Sequence, residues 1–299
     1  MYMNQRSLAY SEQASDATAR LKANQILVGR ESLGVVDSLL HPAAVLIRQI
    51  LTRSGRLHEG LILIDDEENI LQALQGGVEI HSIYYSGDEK LSNELLPKLP
   101  RAVQVYGVAK RTCKKLFDND KISRVFALAY TPAFLTVGRL ADVSGDIVAL
   151  EDLTISGNIG AIIRTAVAFG AGGIVLLNAE PVDLYDRRII RASRGHIFSL
   201  PVIAMTTEEF IRFCKQNGLP ILVMEARAGD LVGKVTSMTQ RFAIVFGSEK
   251  DGCSLPILNA AAYQVQIPTS SSVESLNVST AAGIMLYNRL WFNQPGRTE

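Results

Sequence analysis

Residues 146–177 read DIVALEDLTISGNIGAIIRTAVAFGAGGIVLL, and this stretch decides the fold. The apolar runs at its two ends predict buried strands. Between them, residues 159–169 form a helical stretch, and Gly170 is well placed to end it. A strand, a helix and a second strand in this order predict a parallel pair joined by a crossover helix.

The same alternation extends on both sides of this stretch. Towards the C-terminus, TTEEFIRFCKQNG has Thr206 and Glu209 in capping-box spacing, and it predicts a helix. Further strands are predicted in FSLPVIAM, ILVMEA, FAIVF and YQVQIP, with a basic helix in LYDRRIIRASR and a final helix over 281–291. Towards the N-terminus, strands are predicted in GLILIDD, VEIHSIYYS, AVQVYGV and RVFALAYTP, with helices in EENILQALQGG and RTCKKLF. We therefore expect an α/β protein whose second half is a doubly wound parallel sheet.

Glycine, proline and polar residues divide the chain into parts. We expect an N-terminal arm over 1–40 that contains a helix, a small α/β domain over 41–131, a linker over 132–146 and a larger α/β domain over 147–299.

Composition places the protein among globular chains. The 299 residues are 47% hydrophobic and 20% charged, which excludes a disordered chain. The sequence contains no apolar stretch typical of a membrane span and no signal-peptide pattern, so we expect a cytoplasmic protein. The three cysteines are isolated and lack CxxC spacing, so neither a disulfide framework nor a metal site is expected.

Positive charge is concentrated in one segment of a chain whose formal net charge is zero. Between Arg101 and Arg124 there are seven basic residues and two acidic ones. Such a surplus fits either an RNA phosphate backbone or a solvated helix face.

Four loops follow predicted strands of the second half, where ligands collect in parallel sheets. They are EDLTISGN (151–158), EARAGD (225–230), GSEKDGCS (247–254) and IPTSSSVESLN (267–277). None carries the P-loop, dinucleotide-binding or serine-hydrolase pattern, and the four histidines are scattered.

Asn277 lies in SSVESLNVSTAAG (271–283), where the last helix begins. A short amide at such a turn either caps the helix or binds a ligand. Arginines add a second signal, because Arg164 follows Asn158 by six residues and Arg194 ends the basic helix. Guanidinium groups clamp phosphates and stabilise a developing alkoxide, although each of these arginines could equally form a surface salt bridge.

Three motifs together resemble the SpoU (TrmH) branch of the SPOUT methyltransferases. They are NIGAIIR (158–164), IVFGSE (244–249) and IP followed by SLNVS (267–279). The resemblance extends over 145–291, and the N-terminal half is similar to that of the thiostrepton-resistance ribosomal RNA methyltransferases. In that half it rests on LIDDEENILQALQGGVEIHSIYYS (63–86) and KKLFDNDKISRVFALA (114–129).

The resemblance implies a fold and an assembly that no pattern in the sequence shows. The larger domain is expected to contain a trefoil knot, and the smaller one to resemble the RNA-binding protein L30e. The family implies a homodimer whose active site is shared between subunits. It also implies S-adenosylmethionine as methyl donor and RNA as partner, with no metal.

The family's roles transfer to matching positions of this chain. Catalysis is expected at Arg164, Asn158, Glu249, Ser275 and Asn277. Cofactor contacts are expected at Met224, Gly247, Ile267 and Leu276. RNA contacts are expected at Arg194, Lys110, Arg111, Lys114, Lys115 and Phe117. Because deprotonating arginine is so costly, we expect Arg164 to lower the hydroxyl's pKa by its charge and not to act as a free base.

The expected activity is 2′-O-methylation of an adenosine ribose in 23S ribosomal RNA, which gives thiopeptide resistance. The longer N-terminal arm and the neutral charge depart from the resistance enzymes and leave other substrates open. The alternatives are a 2′-O-methyltransferase for another ribosomal or transfer RNA nucleotide, a base methyltransferase and a non-catalytic RNA-binding relative.

Overall fold

The computed structural model describes residues 34–87, 89–118, 123–132, 138–226, 228, 230–236, 238–270, 272 and 275–292. The chain forms two compact units, Met1–Pro132 and Ala133–Glu299. Residues 1–33 of the expected arm, with the helix predicted there, lie outside the described residues.

The first unit contains a five-stranded sheet. Its strands are β1 (Val35–Val36), β2 (Leu61–Asp65), β3 (Ile80–Ser86), β4 (Gln104–Val108) and β5 (Val125–Tyr130). Its helices are α1 (Pro42–Ile50), α2 (Arg53–Glu59), α3 (Glu67–Gln75) and α4 (Lys110–Phe117). The strand order is β1-β4-β3-β5-β2, and β5 runs antiparallel to both neighbours, so this sheet is mixed.

Aromatic rings fill the centre of this unit. Tyr84 is stacked between Tyr106 and Phe126, with ring centroids 5.4 and 5.0 Å away. Phe117 meets the Phe126 ring edge-on at 5.0 Å. Helix α4 therefore faces the core with its apolar side.

The second unit is built on seven parallel strands. They are β6 (Ile147–Glu151), β7 (Gly173–Leu177), β8 (Val202–Met205), β9 (Ile221–Met224), β10 (Asp230–Leu231), β11 (Ala243–Phe246) and β12 (Tyr263–Gln266). The helices are α5 (Gly138–Ala141), α6 (Ser156–Ala168), α7 (Arg187–Ala192), α8 (Thr207–Gln216), α9 (Gly233–Thr236), α10 (Leu255–Ala260) and α11 (Val278–Phe292). The order is β10-β12-β9-β11-β6-β7-β8, and every pair is parallel, as expected.

Local signals in the sequence correspond to the observed ends of several elements. The capping box of α8 is present, because the Glu209 carboxylate accepts a hydrogen bond from the Thr206 amide at 2.9 Å. Gly170 lies just beyond α6 with φ of +69°, a conformation that glycine adopts without strain. Helices α1 and α2 were not predicted, although His41 and Thr52 cap them.

Residues 138–146, expected to belong to the linker, pack into the second unit instead. Leu140 of α5 is fully buried in its core. The carbonyl of Gly145 accepts a bond from Arg241 at 2.7 Å. Residues 138–146 therefore belong to the second unit.

Strand β12 occupies an unusual place in the sheet. It lies between β9 and β10, although it follows both in the sequence. The chain between β9 and β11 leaves the sheet, forms β10 on the far side of β12 and returns beside β9. The described residues of this loop, which runs from 225 to 242, thus lie on both sides of β12.

Arg289 ties the last helix to this loop. Its side chain is only 4% exposed and forms a two-pronged ion pair with Asp146, at 2.8 and 3.1 Å. Its remaining donors bind the carbonyls of Val235, Met238 and Gln240. The guanidinium group also lies 4.7 Å from the centre of the Phe242 ring. One buried cation therefore joins β6, the loop and α11.

Asp146→Ala should destabilise the second unit strongly, because it leaves the Arg289 charge buried without its carboxylate. We expect the free energy of unfolding to fall by roughly 3–5 kcal/mol in urea titrations followed by circular dichroism. Asp230→Ala is the matched control, since it removes the exposed 2.9 Å pair with Lys234. The control should lose about 1 kcal/mol or less. Equal, small losses in both variants would show that the carbonyls alone satisfy Arg289.

Candidate active site at the carboxyl edge of the parallel sheet

The four predicted loops meet at one edge of the second sheet. In the register of the strands, Met224 pairs with Phe246 and with Val265, and Phe246 pairs with Leu150. The loops after β6, β9, β11 and β12 therefore start side by side. Of these loops, residues 227, 229, 271, 273 and 274 lie outside the described part of the chain.

A chain of side-chain hydrogen bonds links three of these loops. Asn158 donates from Nδ2 to Oε1 of Glu249. Asn277 donates from Nδ2 to Oδ1 of Asn158 at 3.3 Å. Because Asn158 accepts on one side and donates on the other, its amide is fixed in one orientation. These three predicted residues come together although they are 91 and 119 positions apart in the sequence.

Asn277 caps the last helix and also binds a side chain of another loop. Its Oδ1 accepts the Ser279 amide at 2.9 Å, and its backbone carbonyl accepts the Ala281 amide at 3.0 Å, so it caps α11. Its Nδ2 remains free of the cap and binds Asn158. The final helix accordingly begins at Val278, three residues before the predicted start.

The loop after β11 is a closed hairpin. Ser248 and Gly252 exchange backbone hydrogen bonds at 3.0 and 3.1 Å. A Cβ atom on Gly247 would lie 2.2 Å from the Gly252 carbonyl carbon, so only glycine fits there. The hairpin presents Glu249 at its exposed tip.

Three of the four predicted cofactor residues lie at the ends of adjacent strands. Met224 ends β9, while Gly247 and Ile267 directly follow β11 and β12. Leu276 precedes Asn277, and all four residues are partly buried. Three adjacent strand ends thus provide apolar side chains beside backbone groups, which suits a flat, partly polar ligand.

Arg164 and Asn158 lie on different faces of α6. Six residues turn an α-helix by about 600°, which leaves the two side chains about 120° apart. Arg164 is exposed, and within the described chain it forms no hydrogen bond or ion pair. Ser275 is also exposed. One chain therefore groups Asn158, Glu249 and Asn277 without Arg164.

Arg194 has a strained backbone. It follows α7 with φ of +50°, in the left-handed region that a non-glycine residue seldom adopts. The amides of Arg194 and Gly195 bond back to Arg191 and Ile190 at 3.1 and 3.0 Å, which is a Schellman ending. Arginine thus occupies the position that glycine usually takes.

Helix α7 packs closely against α6 at Gly160, where there is no room for a side chain. A Cβ on this glycine would lie 2.4 Å from Ala192 Cβ and 2.7 Å from the Ser193 amide. The motif NIGAIIR therefore sets the position of the arginine that ends α7.

A second group of polar residues at this edge was not assigned a role from the sequence. Glu151 is 1% exposed and accepts the Ser254 amide at 2.8 Å and its hydroxyl at 2.7 Å. Glu225 accepts the Cys253 amide at 3.4 Å. Burial and these two carboxylates raise the pKa of the Cys253 thiol, which keeps it protonated. Both glutamates lie in the predicted loops, but the sequence shows nothing of their partners.

Two cavities border the opposite edge of the sheet. They enclose about 580 and 210 Å³ and are lined by residues such as Pro220, Gln240 and Arg241, which precede strands. No predicted site residue lines either cavity. We therefore place the site by its side-chain chemistry and not by cavity size.

In the first unit, α4 presents a basic face. Lys110, Arg111, Lys114 and Lys115 are all exposed. Phe117, expected to contact RNA, is 3% exposed and packs in the aromatic core. The prediction of a direct RNA contact by Phe117 is wrong, because its ring is covered by the protein.

Neither a metal cluster nor a membrane helix occurs in the described residues. They contain no group of three or more histidine, cysteine or acidic residues able to hold a metal. None of their helices is long and apolar enough to cross a bilayer.

Comparison with known proteins identifies the class. The model of the SpoU rRNA methylase family matches residues 146–287. The model described as the N terminus of thiostrepton-resistance methylase matches residues 33–143. The chain therefore belongs to the SpoU rRNA methylase family, which confirms the prediction from the three motifs.

Individual relatives cover nearly the whole chain. A 23S rRNA (adenosine(1067)-2'-O)-methyltransferase of Streptomyces laurentii is 37% identical over 262 residues, covering 86% of this chain and 96% of that protein. The enzyme of the same name from Streptomyces azureus is 34% identical over 258 residues, covering 85% and 96%. The AdoMet-bound rRNA methyltransferase of Sinorhizobium meliloti has a similar structure, with a TM-score of 0.74, 25% identity and coverage of 85% and 96%.

Asn277→Asp separates the two roles of this residue. Aspartate caps helices as well as asparagine does, so the melting temperature should stay close to that of wild type. The new oxygen would face Oδ1 of Asn158 as a second acceptor and add charge near Glu249. We expect methyl transfer to fall by at least about tenfold, equivalent to about 1.4 kcal/mol.

Asn277→Ala is the comparison variant, because it loses the cap as well, at about 1 kcal/mol of stability. Melting curves and methyl-transfer rates should be measured for both variants. Normal turnover by Asn277→Asp would mean that this residue serves only as a cap.

Proposed function

We propose that this protein transfers a methyl group from S-adenosylmethionine to the ribose 2′-hydroxyl of an adenosine in 23S ribosomal RNA. The observation that carries this proposal is the pair of adenosine 2′-O-methyltransferases that are 34 and 37% identical across both units. A ribosomal RNA substrate places the protein in the cytoplasm. Methylation of a nucleotide that a thiopeptide drug contacts would give resistance to that drug.

S-adenosylmethionine is the methyl donor, and bound at this edge it supplies an electrophilic sulfonium methyl. Met224, Ile267 and Leu276 fit its adenosyl part, because they are partly buried apolar groups around the ends of adjacent strands. Backbone groups at Gly247 would complete the pocket. The chain's main task is then to place the attacking oxygen in line, and positioning alone can supply much of a rate enhancement.

Arg164 provides the charge that lowers the pKa of the ribose hydroxyl. Its guanidinium charge stabilises the developing alkoxide, and the proton of the hydroxyl passes to phosphate or water. Asn158, Glu249 and Asn277 connect three loops by hydrogen bonds, and Ser275 lies two residues before Asn277 on the last of these loops.

We propose a homodimer in which Arg164 serves the partner's site. The position of Arg164, about 120° around α6 from Asn158, supports this arrangement. An apolar surface lies on α11, where Tyr287 and Leu290 are 47 and 36% exposed, and Phe169, which directly follows α6, contacts the Tyr287 ring. A second subunit would cover these side chains.

The first unit is proposed to be an L30e-like RNA-binding domain. Four cations on one face of α4 support this role, because they can follow a phosphate backbone without base contacts. Arg194 of the second unit is proposed as a further phosphate contact.

A trefoil knot is proposed for the second unit. Its support is the insertion of β12 between β9 and β10, inside the loop formed by residues 225–242. Arg289 then binds three carbonyls of that loop from the helix that follows β12.

Mass spectrometry of 23S ribosomal RNA tests the proposed function directly. RNA treated with wild-type protein and S-adenosylmethionine should gain one 2′-O-methyladenosine, whereas RNA treated with Arg164→Ala should gain none. Arg164→Ala should still form the wild-type dimer in light scattering. A methyl on another nucleotide would correct the substrate, a methyl on a base would correct the reaction, and wild-type turnover by Arg164→Ala would contradict its role.

Arg194→Gly should stabilise the protein while weakening RNA binding. Relief of the left-handed arginine is worth about 1 kcal/mol, and the lost charge removes a phosphate contact. Arg194→Ala serves as control, because it loses the charge but keeps the strain. Melting curves should separate the two variants, whereas RNA affinities should be equal and weaker than wild type. Wild-type RNA affinity in both variants would exclude the phosphate contact.

A further inference from the structure

The hairpin loop after β11 is held from both neighbouring strands. β11 lies between β6 and β9 in the sheet. Glu151 is the last residue of β6, and Glu225 directly follows β9. Each carboxylate accepts a backbone amide where the hairpin ends, Glu151 from Ser254 and Glu225 from Cys253. The two glutamates therefore attach the end of the hairpin to both neighbouring strands.

Glu151 makes more hydrogen bonds to its surroundings than Glu225 makes to the hairpin. Its carboxylate is 1% exposed and accepts three hydrogen bonds, two from Ser254 and one from the Thr207 hydroxyl at 3.2 Å. A buried carboxylate is stable only when it is bonded in this way. The Glu151 carboxylate thus contacts the first residue of α8, Thr207, and the residue before α10, Ser254.

The side chain of Ser254 does not cap the helix that follows it. It is the N-cap residue of α10, yet its hydroxyl makes no capping bond. The hydroxyl donates to Glu151 instead, at 2.7 Å. The sequence thus uses a typical capping residue to attach the loop to β6.

This attachment controls groups at the proposed active site. Two backbone hydrogen bonds between Ser248 and Gly252 join the two sides of the hairpin. It contains Glu249, which binds Asn158, and it begins at Gly247. A shift where the hairpin ends would therefore displace both the Glu249 carboxylate and the backbone next to the cofactor.

We propose that Glu151 is a positioning residue for methyl transfer. It keeps the loop 247–254 in the place where Glu249 meets Asn158, and Glu225 supports the same loop from β9. Glu151 is buried, so it acts through the loop and does not touch the substrate. This inference rests on the proposed function and adds a residue to which that function assigns no role.

Glu151→Ala and Glu151→Gln form the test pair. Glutamine can turn its oxygen towards the Ser254 amide and its NH₂ towards the two hydroxyls, which can rotate to accept. Glu151→Gln should therefore keep activity within a few-fold of wild type. Alanine removes all three bonds, and we expect kcat to fall by roughly 10- to 100-fold, as for a displacement of about 1 Å at a reaction centre. Cofactor affinity, measured by calorimetry, should weaken several-fold.

Asn217→Ala is the matched control in the same unit. It removes the 2.8 Å bond to the Phe213 carbonyl at the far end of α8, away from the loop. Rates are to be measured per folded molecule, well below the melting temperature of every variant. The control should lose stability and keep wild-type kcat and cofactor affinity.

Ser254→Ala is a milder variant if Glu151→Ala does not fold, because it removes the hydroxyl and leaves the amide bond. It should lower kcat several-fold. Hydrogen exchange adds a readout that does not depend on activity: the amides of Ser248 and Gly252 should exchange faster in Glu151→Ala and Ser254→Ala.

Unchanged kcat and unchanged exchange in the folded alanine variants would overturn the positioning role, as would a loss in Glu151→Gln equal to that in Glu151→Ala. If wild-type protein transfers no methyl, the proposed function fails, and the exchange experiment still decides whether Glu151 holds the loop.

Discussion

The buried contact between Arg289 and Asp146 is the constraint on which the second unit depends. A guanidinium group removed from water must satisfy all its donors, and here one carboxylate and three carbonyls do so. These partners come from the start of β6 and from the loop around β12. This network of hydrogen bonds therefore fixes the position of α11 near its C-terminal end.

The other end of α11 is set by Asn277. Twelve residues of helix separate Asn277 from Arg289, or about 18 Å at the usual rise. The helix thus connects the Arg289 network to the carboxyl edge, where the cap meets Asn158. An amide is needed there, because one atom must accept for the cap while another donates across to α6. The cap does not exclude the proposed site role, because Oδ1 makes the capping bond while Nδ2 binds Asn158.

Local signals explain most of what the sequence predicted. Residues 147–150 and 173–177 are continuous apolar runs, as is typical of strands buried on both faces, and the capping box at Thr206 is a pattern of neighbouring residues. The family followed from three short motifs. What could not be predicted depends on contacts between distant residues. Glu151 and Ser254 are 103 positions apart, and Asp146 and Arg289 are 143 apart. Phe117 was misjudged for a similar reason, since its neighbour Phe126 belongs to another element.

Zero net charge does not oppose an RNA substrate, because the distribution of charge matters more than its sum. The chain has 30 basic and 30 acidic residues. Burial removes equal numbers of both signs from the described surface, because Asp65, Asp146 and Glu151 are buried and so are Arg56, Arg187 and Arg289. Basic residues of α4 remain exposed on one face, and Arg164 is exposed on α6. A chain of zero net charge can therefore still carry a local cluster of exposed cations, as α4 does, and its neutrality does not conflict with the activity of its relatives.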